Sequence, residues 1–272
     1  MQRAVELARV ALDADVAVTA TRDADELEAW LRPRIEGHDT VVIAGGDGTL
    51  GVAYNAVAGR DVSLGYIPAG FGNATRHLLH LPTEPDALAD VLRAGDARPV
   101  DLVEVDGRLA LFAGAGWDAL VAGRYAAGGA RRLPGWAAAV ARSVPDLWRL
   151  GTVEVRADDW VVHRGPMAVM VAGTTPYYGR GLLVNPGART DAGRLSLRVY
   201  PGPAPRFAVE AARWALRIAP RAKRIEATEV ELRSTSGPGV PVQVDGDLRG
   251  VRDTWRFSVR PAAVRLIGRW EA

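Results

Sequence analysis

The chain has 272 residues, 48% of them hydrophobic and 24% charged, which is an ordinary composition for one large or two medium globular domains. Because it contains no cysteine, disulfides and thiolate metal sites are excluded, and this suits the cytoplasm. The formal charge is only +2, and no apolar run approaches the roughly 20 residues of a membrane span. Its basic residues form clusters and not a stripe interleaved with aromatic residues, so we expect no nucleic-acid partner. We expect a cytoplasmic protein that meets a membrane, if at all, peripherally at its inner surface.

Helix and strand patterns alternate through the first third of the chain. Short apolar runs predict strands at 15–21, 41–44 and 63–67. The run at 41–44 is typical of a strand buried on both faces of a parallel sheet. Amphipathic patterns predict helices at 2–12, 23–36, 50–58, 73–80 and 84–94. This order predicts a doubly wound βαβ domain of the α/β class over residues 1–96.

Beyond residue 96 the hydrophobic pattern changes to a period of two. Alternating runs separated by Gly and Pro turns predict strands at 194–199, 229–232, 242–245 and 255–259. Helical insertions are predicted at 117–126, 135–149 and 204–219. We therefore predict a second domain over residues 97–272, an antiparallel β-sandwich with helical insertions. A cleft between two unlike domains is a usual place for a small-molecule site.

A glycine-rich loop follows the second predicted strand and leads directly into a helix. The loop consists of Gly45, Gly46, Asp47, Gly48 and Thr49. Glycines permit close approach of the backbone, and the exposed amides at a helix N-terminus attract a phosphate group. A carboxylate such as Asp47 fits this place if a Mg²⁺ ion lies between it and the phosphates, or if it accepts a proton. The alternative is a simple glycine turn in which Asp47 caps a helix.

A second loop with similar chemistry follows the next strand. It runs from Pro68 to Asn73 and contains Gly70, Phe71 and Gly72. Because the carboxyl ends of parallel strands meet at one edge of a sheet, the two loops should lie close together where ligands bind in such folds.

A third candidate feature lies almost 200 residues later, where two carboxylates flank a glycine. Asp245 and Asp247 could supply a general base on a tight turn. By itself, however, an Asp-Gly pair between two strands is more often an ordinary hairpin turn.

Together these features resemble the diacylglycerol kinase catalytic domain family, which includes bacterial lipid kinases and sphingosine kinases. The family's GGDGT motif is complete at 45–49, and Pro68, Gly70, Asn73 and Pro82 match its second loop. Residues 113–118 resemble the glycine-rich start of its second domain. Pro186, Ala188, Asp191 and Gly193 resemble a later segment, and residues 245–247 resemble its terminal Asp-Gly-Glu. The resemblance covers nearly the whole chain in the right order.

The resemblance implies an ATP-dependent kinase that transfers the γ-phosphoryl group to a lipid hydroxyl in a cleft between two domains, with Mg²⁺ and ATP as cofactors. It implies that Asp247 accepts the proton of that hydroxyl, with Asp47 and Asp245 as further catalytic carboxylates. Mg²⁺ would be bound through ATP at Asp47, and Asp191 is a weaker metal candidate. The nucleotide would be bound by Thr21, Gly45, Gly46, Asp47, Gly48, Thr49, Gly70, Phe71, Gly72 and Asn73.

Several positions depart from the family pattern and keep two other functions open. Phe71 stands where threonine is usual, Ala74 where aspartate is usual, and Asp247 where glutamate is usual, while Ala192 cannot coordinate the structural Mg²⁺ of a bacterial subgroup. The family's first strand and its Asn-Pro loop have no counterpart here, so we expect the sheet to lack that strand. One alternative is therefore a degenerate lipid- or nucleotide-binding protein, and another is a related enzyme such as an NAD kinase.

The lipid acceptor implies contact with a membrane surface. Residues 131–150 and 206–224 combine arginine with tryptophan on helical patterns, a composition that suits a helix lying on anionic lipid. Packing of both helices on the sheet is the simpler explanation. The sequence identifies neither the acceptor lipid nor the oligomeric state.

Overall fold

The computed structural model describes residues 2–12, 23–70, 72–128, 133–149, 151–179, 181–202, 204–216, 218–237 and 239–270. The chain divides into two compact units. The first comprises Met1–Val100 together with Ala262–Ala272, and the second comprises Asp101–Pro261. None of the helices in the described part of the chain is long and apolar enough to cross a membrane.

The first unit is an α/β domain. Its helices are α1 (Gln2–Leu12), α2 (Ala24–Ile35), α3 (Asp47–Val57), α4 (Ala74–Leu78) and α5 (Pro85–Ala94). Its strands are β1 (Thr40–Gly45), β2 (Ser63–Pro68) and the beginning of β3 (Ala97–Val105). Asp23 begins α2 as predicted, since its carboxylate accepts a hydrogen bond of 2.8 Å from the amide of Glu26. α3 begins three residues earlier than predicted, because the glycine loop itself forms its first turn.

Strand β2 lies at the centre of this unit. It pairs in parallel with β1 from Thr40↔Ser63 to Gly45↔Pro68. On its other side it pairs in parallel with residues 265–266, near the end of the chain. The four central residues of β2 are buried, whereas those of β1 are only half-buried or exposed, although the apolar run at 41–44 predicted a strand buried on both faces. The strand predicted at 15–21 lies outside the described residues.

The second unit is a β-sandwich, as predicted. Its strands are β4 (Arg108–Ala110), β5 (Phe112–Gly116), β6 (Thr152–Ala157), β7 (Trp160–Gly173), β8 (Tyr177–Tyr178), β9 (Leu182–Leu183), β10 (Leu195–Pro201), β11 (Ile225–Ala227), β12 (Glu229–Ser236), β13 (Val240–Val244), β14 (Asp247–Arg252) and β15 (Thr254–Ile267). The inserted helices are α6 (Trp117–Ala127), α7 (Leu133–Ser143) and α8 (Ala204–Ala215), and a short 3-10 helix covers Val144–Trp148.

Two antiparallel layers share strand β7. Its first half pairs with β6, which continues through β12 to β15. Its second half pairs with β5 and β10, and β5 continues through β13 to β14. Apolar side chains from the strands of both layers form one buried core, which includes Val155, Met170, Leu232 and Trp255. The outer face of β7 and β10 is covered by α8 and the 3-10 helix, through Leu147, Phe207 and Trp214.

The division of the chain differs from the predicted boundary at residue 96. The first unit extends to Val100 and also contains the C-terminal segment from Ala262 onward. The physical reason is the end of β15, whose residues 265–266 hydrogen-bond with β2 and whose Ile267 is buried. Hydrophobic periodicity does not reveal that the last strand returns to the first unit, because β15 continues from one unit into the other without a turn.

Candidate functional site

The first glycine loop lies between β1 and α3. Gly46 is the N-cap residue of α3, with a φ of −96°, and its carbonyl accepts a hydrogen bond of 3.0 Å from the amide of Leu50. A Cβ at Gly45 would lie 2.7 Å from the side chain of Thr49, so a larger residue does not fit there. The amides of the first helical turn have no partners within the helix, and together with the helix dipole they favour an anion. The loop therefore has the local form of a phosphate site.

The two glycine loops touch each other, as their positions after parallel strands predict. The amide of Ala69 donates a hydrogen bond of 2.7 Å to the carbonyl of Gly45. A Cβ at Gly46 would lie 3.2 Å from the Cα of Gly70, and a Cβ at Gly70 would collide with the Cα of Gly46. Space alone therefore requires glycine at position 70, while the fit at position 46 is only tight. The structure thus brings both predicted loops to one edge of the sheet.

Asn73 holds the second loop closed. Its Oδ1 accepts hydrogen bonds of 3.0 Å from the amide of Gly70 and from the hydroxyl of Tyr66, and its Nδ2 donates to the carbonyl of Gly70 at 2.8 Å. Asn73 adopts the left-handed conformation with a φ of 50°, which asparagine tolerates better than most residues. In this arrangement its side chain shapes the loop.

Asp47 connects the first loop to helix α4. Its Oδ2 accepts a hydrogen bond of 2.9 Å from the amide of Ala74, and its Oδ1 accepts bonds from the amide and the hydroxyl of Thr75 at 3.1 and 3.0 Å. Asp47 thus caps a helix that begins 27 residues later, and not the helix to which it belongs. A carboxylate offers about four lone-pair positions, so one on Oδ2 remains for a further ligand such as a metal ion bound to ATP.

Replacing Asp47 by Asn tests this capping role. The amide group of Asn must face either Ala74 or Thr75 with a donor, so we expect the free energy of unfolding to fall by about 1–3 kcal/mol. Asp23→Asn is the matched control, because asparagine caps a helix about as well as aspartate and Asp23 begins α2 in the same unit. Urea unfolding of both variants measures the difference, and equal losses would contradict the role of Asp47.

The other residues that were predicted to bind the nucleotide differ in their exposure to solvent. Gly48 is exposed in the first turn of α3, and Thr49 and Gly72 are half-buried. Thr21 and Phe71 lie outside the described residues.

The pair Asp245 and Gly246 forms the two-residue hairpin turn between β13 and β14. Both have positive φ angles, 46° and 94°, as a type I′ turn requires. The carboxylate of Asp245 accepts hydrogen bonds from the amides of Leu111 and Phe112 at 3.4 and 3.2 Å, so it fixes the turn to the neighbouring strand β5. Asp247 begins β14, opposite Val244, and is exposed. Of the two predicted carboxylates, Asp247 is therefore the one that a substrate can approach.

A polar cluster next to this turn, formed by the half-buried Asp118 and Tyr178 and the buried Gln243, was not predicted from the sequence. Asp118, in the first turn of α6, accepts hydrogen bonds from the hydroxyl of Tyr178 and, at 3.2 Å, from Nε2 of Gln243. Gln243 in turn accepts a bond of 2.6 Å from the amide of Gly246 through its Oε1. A Cβ at Gly114 would lie 2.6 Å from Nε2 of Gln243 and would also overlap Asp118 and Tyr178. Only glycine leaves room for the cluster.

Burial dominates the electrostatics of this cluster. Loss of solvent raises the pKa of Asp118 from its ordinary 3.8 to about 6, although hydrogen bonds from Tyr178, Gln243 and the amides of Asp118 and Ala119 act in the opposite direction. Burial, followed by the nearby charge of Asp118, raises the pKa of Tyr178 well above its ordinary value. At neutral pH the cluster therefore contains one ionised carboxylate and a neutral phenol.

The raised pKa of Asp118 makes stability depend on pH in a defined direction. Between pH 4 and 6 the folded protein holds a proton on Asp118 that the unfolded chain has lost, so the free energy of unfolding falls as the pH rises through this window. The difference between a pKa of 3.8 and one of about 6 corresponds to about 3 kcal/mol in the free energy of unfolding. We expect Asp118→Asn to remove this slope, whereas Asp159→Asn, at an exposed hairpin tip, should keep it. Urea unfolding from pH 4 to 7 compares the variants, and parallel curves for Asp118→Asn and wild type would contradict the assignment.

Comparisons with known proteins agree with these observations. The family model for the diacylglycerol kinase catalytic domain matches residues 2–105, and the model for the YegS C-terminal NAD kinase beta sandwich-like domain matches residues 112–268. A protein of Mycobacterium tuberculosis named diacylglycerol kinase is 30% identical over 85% of this chain and 77% of the relative. This chain belongs to the diacylglycerol kinase family.

Three further similarities extend across nearly the whole chain of this lipid kinase. A Pseudomonas fluorescens protein named "Probable lipid kinase YegS-like" is 28% identical over 97% of this chain and 89% of its own. The crystal structure of a diacylglycerol kinase from Bacillus anthracis has a TM-score of 0.75 at 17% identity, covering 98% of this chain and 90% of that chain. An NAD kinase from Archaeoglobus fulgidus in complex with ATP has a TM-score of 0.54 at 14% identity, covering 97% and 87%. The two solved structures support the fold alone.

The weaker metal candidate of this lipid kinase, Asp191, is engaged with an arginine. Its carboxylate accepts hydrogen bonds of 2.9 and 3.0 Å from Arg189, which is the main cause that lowers its pKa. Among the described residues no group of three His, Asp or Glu side chains is arranged to hold a metal ion. Binding of Mg²⁺ at Asp191 would require this exposed ion pair to open, and the assignment stays a prediction.

Proposed function

We propose that this lipid kinase transfers the γ-phosphoryl group of ATP to the hydroxyl of a diacylglycerol-like lipid. The observation that carries the proposal is the contact between the two glycine loops, at Gly46 and Gly70, beside the N-terminus of α3. The similar protein of Mycobacterium tuberculosis is named diacylglycerol kinase, which supports diacylglycerol as the class of acceptor.

In this proposal the nucleotide phosphates bind at the first turn of α3. The amides of Gly46, Gly48 and Thr49 surround them, and the touching second loop limits how far they can move. Mg²⁺ bound to ATP would neutralise phosphate charge, and the remaining lone pair of Asp47 fits it directly or through water.

Asp247 is the proposed general base. Its carboxylate takes the proton of the lipid hydroxyl, the hydroxyl oxygen forms a bond to the γ-phosphorus, and the bond between that phosphorus and the β-γ bridging oxygen breaks to release ADP. Its exposure at the start of β14, directly after a hairpin turn fixed by Asp245, suits a base that must meet a lipid alcohol.

Phosphoryl transfer from radiolabelled ATP tests the proposal. Purified protein, with Mg²⁺, is incubated with mixed micelles of diacylglycerol, a sphingoid base or phosphatidylglycerol, and separately with NAD. We expect labelled lipid product, most with diacylglycerol. Labelling of NAD alone would assign the protein to the NAD kinases, and no transfer to any lipid would overturn the proposal.

A membrane-facing surface is the second part of the proposal. Trp148, at the end of the 3-10 helix, is 67% exposed, and Leu216, directly after α8, is 70% exposed. Their neighbours Leu147 and Trp214 share one buried cluster, so the two exposed side chains belong to elements on the same side of the second unit. Arg149, Arg206 and Arg221 lie on or beside these elements and add positive charge that anionic lipid attracts. Of the predicted interfacial segments, residues 131–132, Leu150 and Arg217 lie outside the described residues.

Sedimentation with vesicles tests this surface. Wild type should bind vesicles containing phosphatidylglycerol more strongly than vesicles of phosphatidylcholine alone, and the double variant Trp148→Ser, Leu216→Ser should bind about tenfold or more weakly, since burying a large apolar side chain contributes roughly 1.5–3 kcal/mol. Trp160→Ser is the matched control, because Trp160 is 77% exposed at a hairpin of the same unit. Equal binding of wild type and the double variant would exclude this surface.

A further inference from the structure

The side chain of Gln243 connects the half-buried cluster around Asp118 to the hairpin that carries Asp247. Gln243 donates from Nε2 to Oδ2 of Asp118 at 3.2 Å and accepts at Oε1 from the amide of Gly246 at 2.6 Å. Gly246 directly precedes Asp247, so this hydrogen bond orients the peptide that leads into the proposed base.

The orientation of the Gln243 amide is determined by its partners. An ionised carboxylate can only accept, so Asp118 requires the nitrogen of Gln243 to face it, and the oxygen must then face the Gly246 amide. If the acceptor at position 118 could also donate, the amide of Gln243 could turn over. Its nitrogen would then face the amide of Gly246, two donors would oppose each other, and the turn would lose its restraint.

The surroundings keep this arrangement rigid. A side chain at position 114 would overlap the cluster, and Gln243 is only 1% exposed. Among the residues that the structure describes, the titratable group that bonds to Asp118 is the phenol of Tyr178, and the charge of Asp245 acts on that phenol in turn. The remaining neighbouring strands present uncharged residues, β5 with Phe112–Gly116 and the second half of β7 with Met167–Gly173.

The other charged residues that the structure describes on α6, α7 and β14 are exposed or paired. On α6 itself Arg124 donates to Ser143 and pairs with Asp146 of the 3-10 helix. On β14 Arg249 is exposed and Arg252 pairs with Asp106. Arg142, in the last turn of α7, is exposed.

We infer that Asp118 is a positioning residue, which through Gln243 holds the Asp245–Gly246 turn so that Asp247 is placed to take the proton of the lipid hydroxyl. The inference rests on the proposed function for its catalytic half, and on the hydrogen bonds alone for its structural half. Asp118 itself touches no reacting atom in this scheme. The inference adds Asp118, Tyr178 and Gln243 to the proposed site, and these three residues do not occur together in any of the sequence motifs described above.

Two variants of the full chain test the inference, Asp118→Asn and Gln243→Leu. We expect each to lower kcat for lipid phosphorylation by roughly 10–100-fold with the KM for ATP unchanged, since misplacement of about 1 Å can reduce a rate 10²-fold. The amide resonance of Gly246 in nitrogen-15 spectra is the independent readout. In wild type it should titrate with a midpoint near pH 6, and in both variants it should move and lose that titration. Asp158→Asn is the control, because Asp158 holds the amides of Thr228 and Glu229 in the same unit, away from the turn.

The two readouts separate the inference from the proposed function. If the Gly246 resonance and its titration are unchanged in Asp118→Asn, the inference is overturned even when the wild type is an active kinase. Equal losses of kcat in Asp118→Asn and Asp158→Asn would also overturn it, because the effect would then be general destabilisation. A wild type that phosphorylates no lipid overturns the proposed function, and the Gly246 resonance then decides on the structural half alone.

Discussion

Replacing Asp247 by Asn should lower kcat for lipid phosphorylation by about 10²–10⁴-fold, the range that a positioned general base contributes. Asparagine has nearly the same shape but cannot take the proton of the lipid hydroxyl. Because Asp247 is exposed at the start of β14, the free energy of unfolding should change by less than about 0.5 kcal/mol. Steady-state kinetics with saturating ATP, together with urea unfolding, measure both quantities.

Two further variants control this experiment. Asp247→Glu restores the residue type usual in the family and lengthens the side chain by one methylene, so it should retain activity far above that of the Asn variant. Asp253→Asn removes an exposed carboxylate from the turn between β14 and β15 and should leave kcat unchanged. If Asp247→Asn retains more than about a tenth of the wild-type kcat, Asp247 is not the base, and the transfer depends on positioning and charge neutralisation alone.

The order of the helices and of part of the strands could be predicted from the sequence because these elements have their own periodicity, whereas the strands between residues 97 and 116 and between 152 and 173 were not predicted. The helices of both units agree with the predicted ranges within a few residues, and the alternating runs form the strands of the sandwich. The end of β15 could not be assigned in this way, because its partner β2 lies about 200 residues earlier in the chain. The partner of a terminal strand is determined by the position that is open in a sheet, and the residues of that sheet can lie far away in the sequence.

The candidate site was predictable where it consists of local motifs. The glycine loops at 45–49 and 68–73 follow strands, and parallel pairing alone brings them together. Asp47 shows the limit of this reasoning: its sequence position suggested either a metal ligand or a cap of its own helix, and its described partners are Ala74 and Thr75 of α4. A contact between residues 27 positions apart does not produce a recognisable spacing in the sequence.

The cluster of Asp118, Tyr178 and Gln243 was missed for the same reason. Its members come from a helix start and two strands, separated by 60 and 125 residues. One signal was available in the glycines at 114 and 116, since closely spaced glycines before a helix imply that something approaches the backbone. At Gly116 the φ is 92° and a Cβ would lie 2.5 Å from the carbonyl oxygen of Ala168, while at Gly114 the approaching group is the cluster itself. The sequence shows that space is needed but not what fills it.

Replacing Gly70 by Ala should separate the two glycine loops and abolish tight binding of ATP. The new Cβ would collide with the Cα of Gly46 and lie 2.9 Å from Oδ1 of Asn73, so neither loop can keep its place. Since the obstacle is backbone and not a flexible side chain, we expect the free energy of unfolding to fall by about 1–3 kcal/mol or more. A displacement of about 1 Å at a phosphate site can also reduce the rate of transfer about 10²-fold.

Gly46→Ala is the matched variant, because it adds the same methyl group on the other side of the same contact. Its Cβ would lie 3.2 Å from the Cα of Gly70, a distance that a shift of a few tenths of an ångström relieves, and its φ of −96° is open to alanine. We therefore expect the loss of ATP affinity and of stability to be clearly larger for Gly70→Ala than for Gly46→Ala. Calorimetric titration with Mg-ATP and urea unfolding measure the order. The reverse order, or unchanged affinity in both, would mean that the contact between the loops does not shape the nucleotide site.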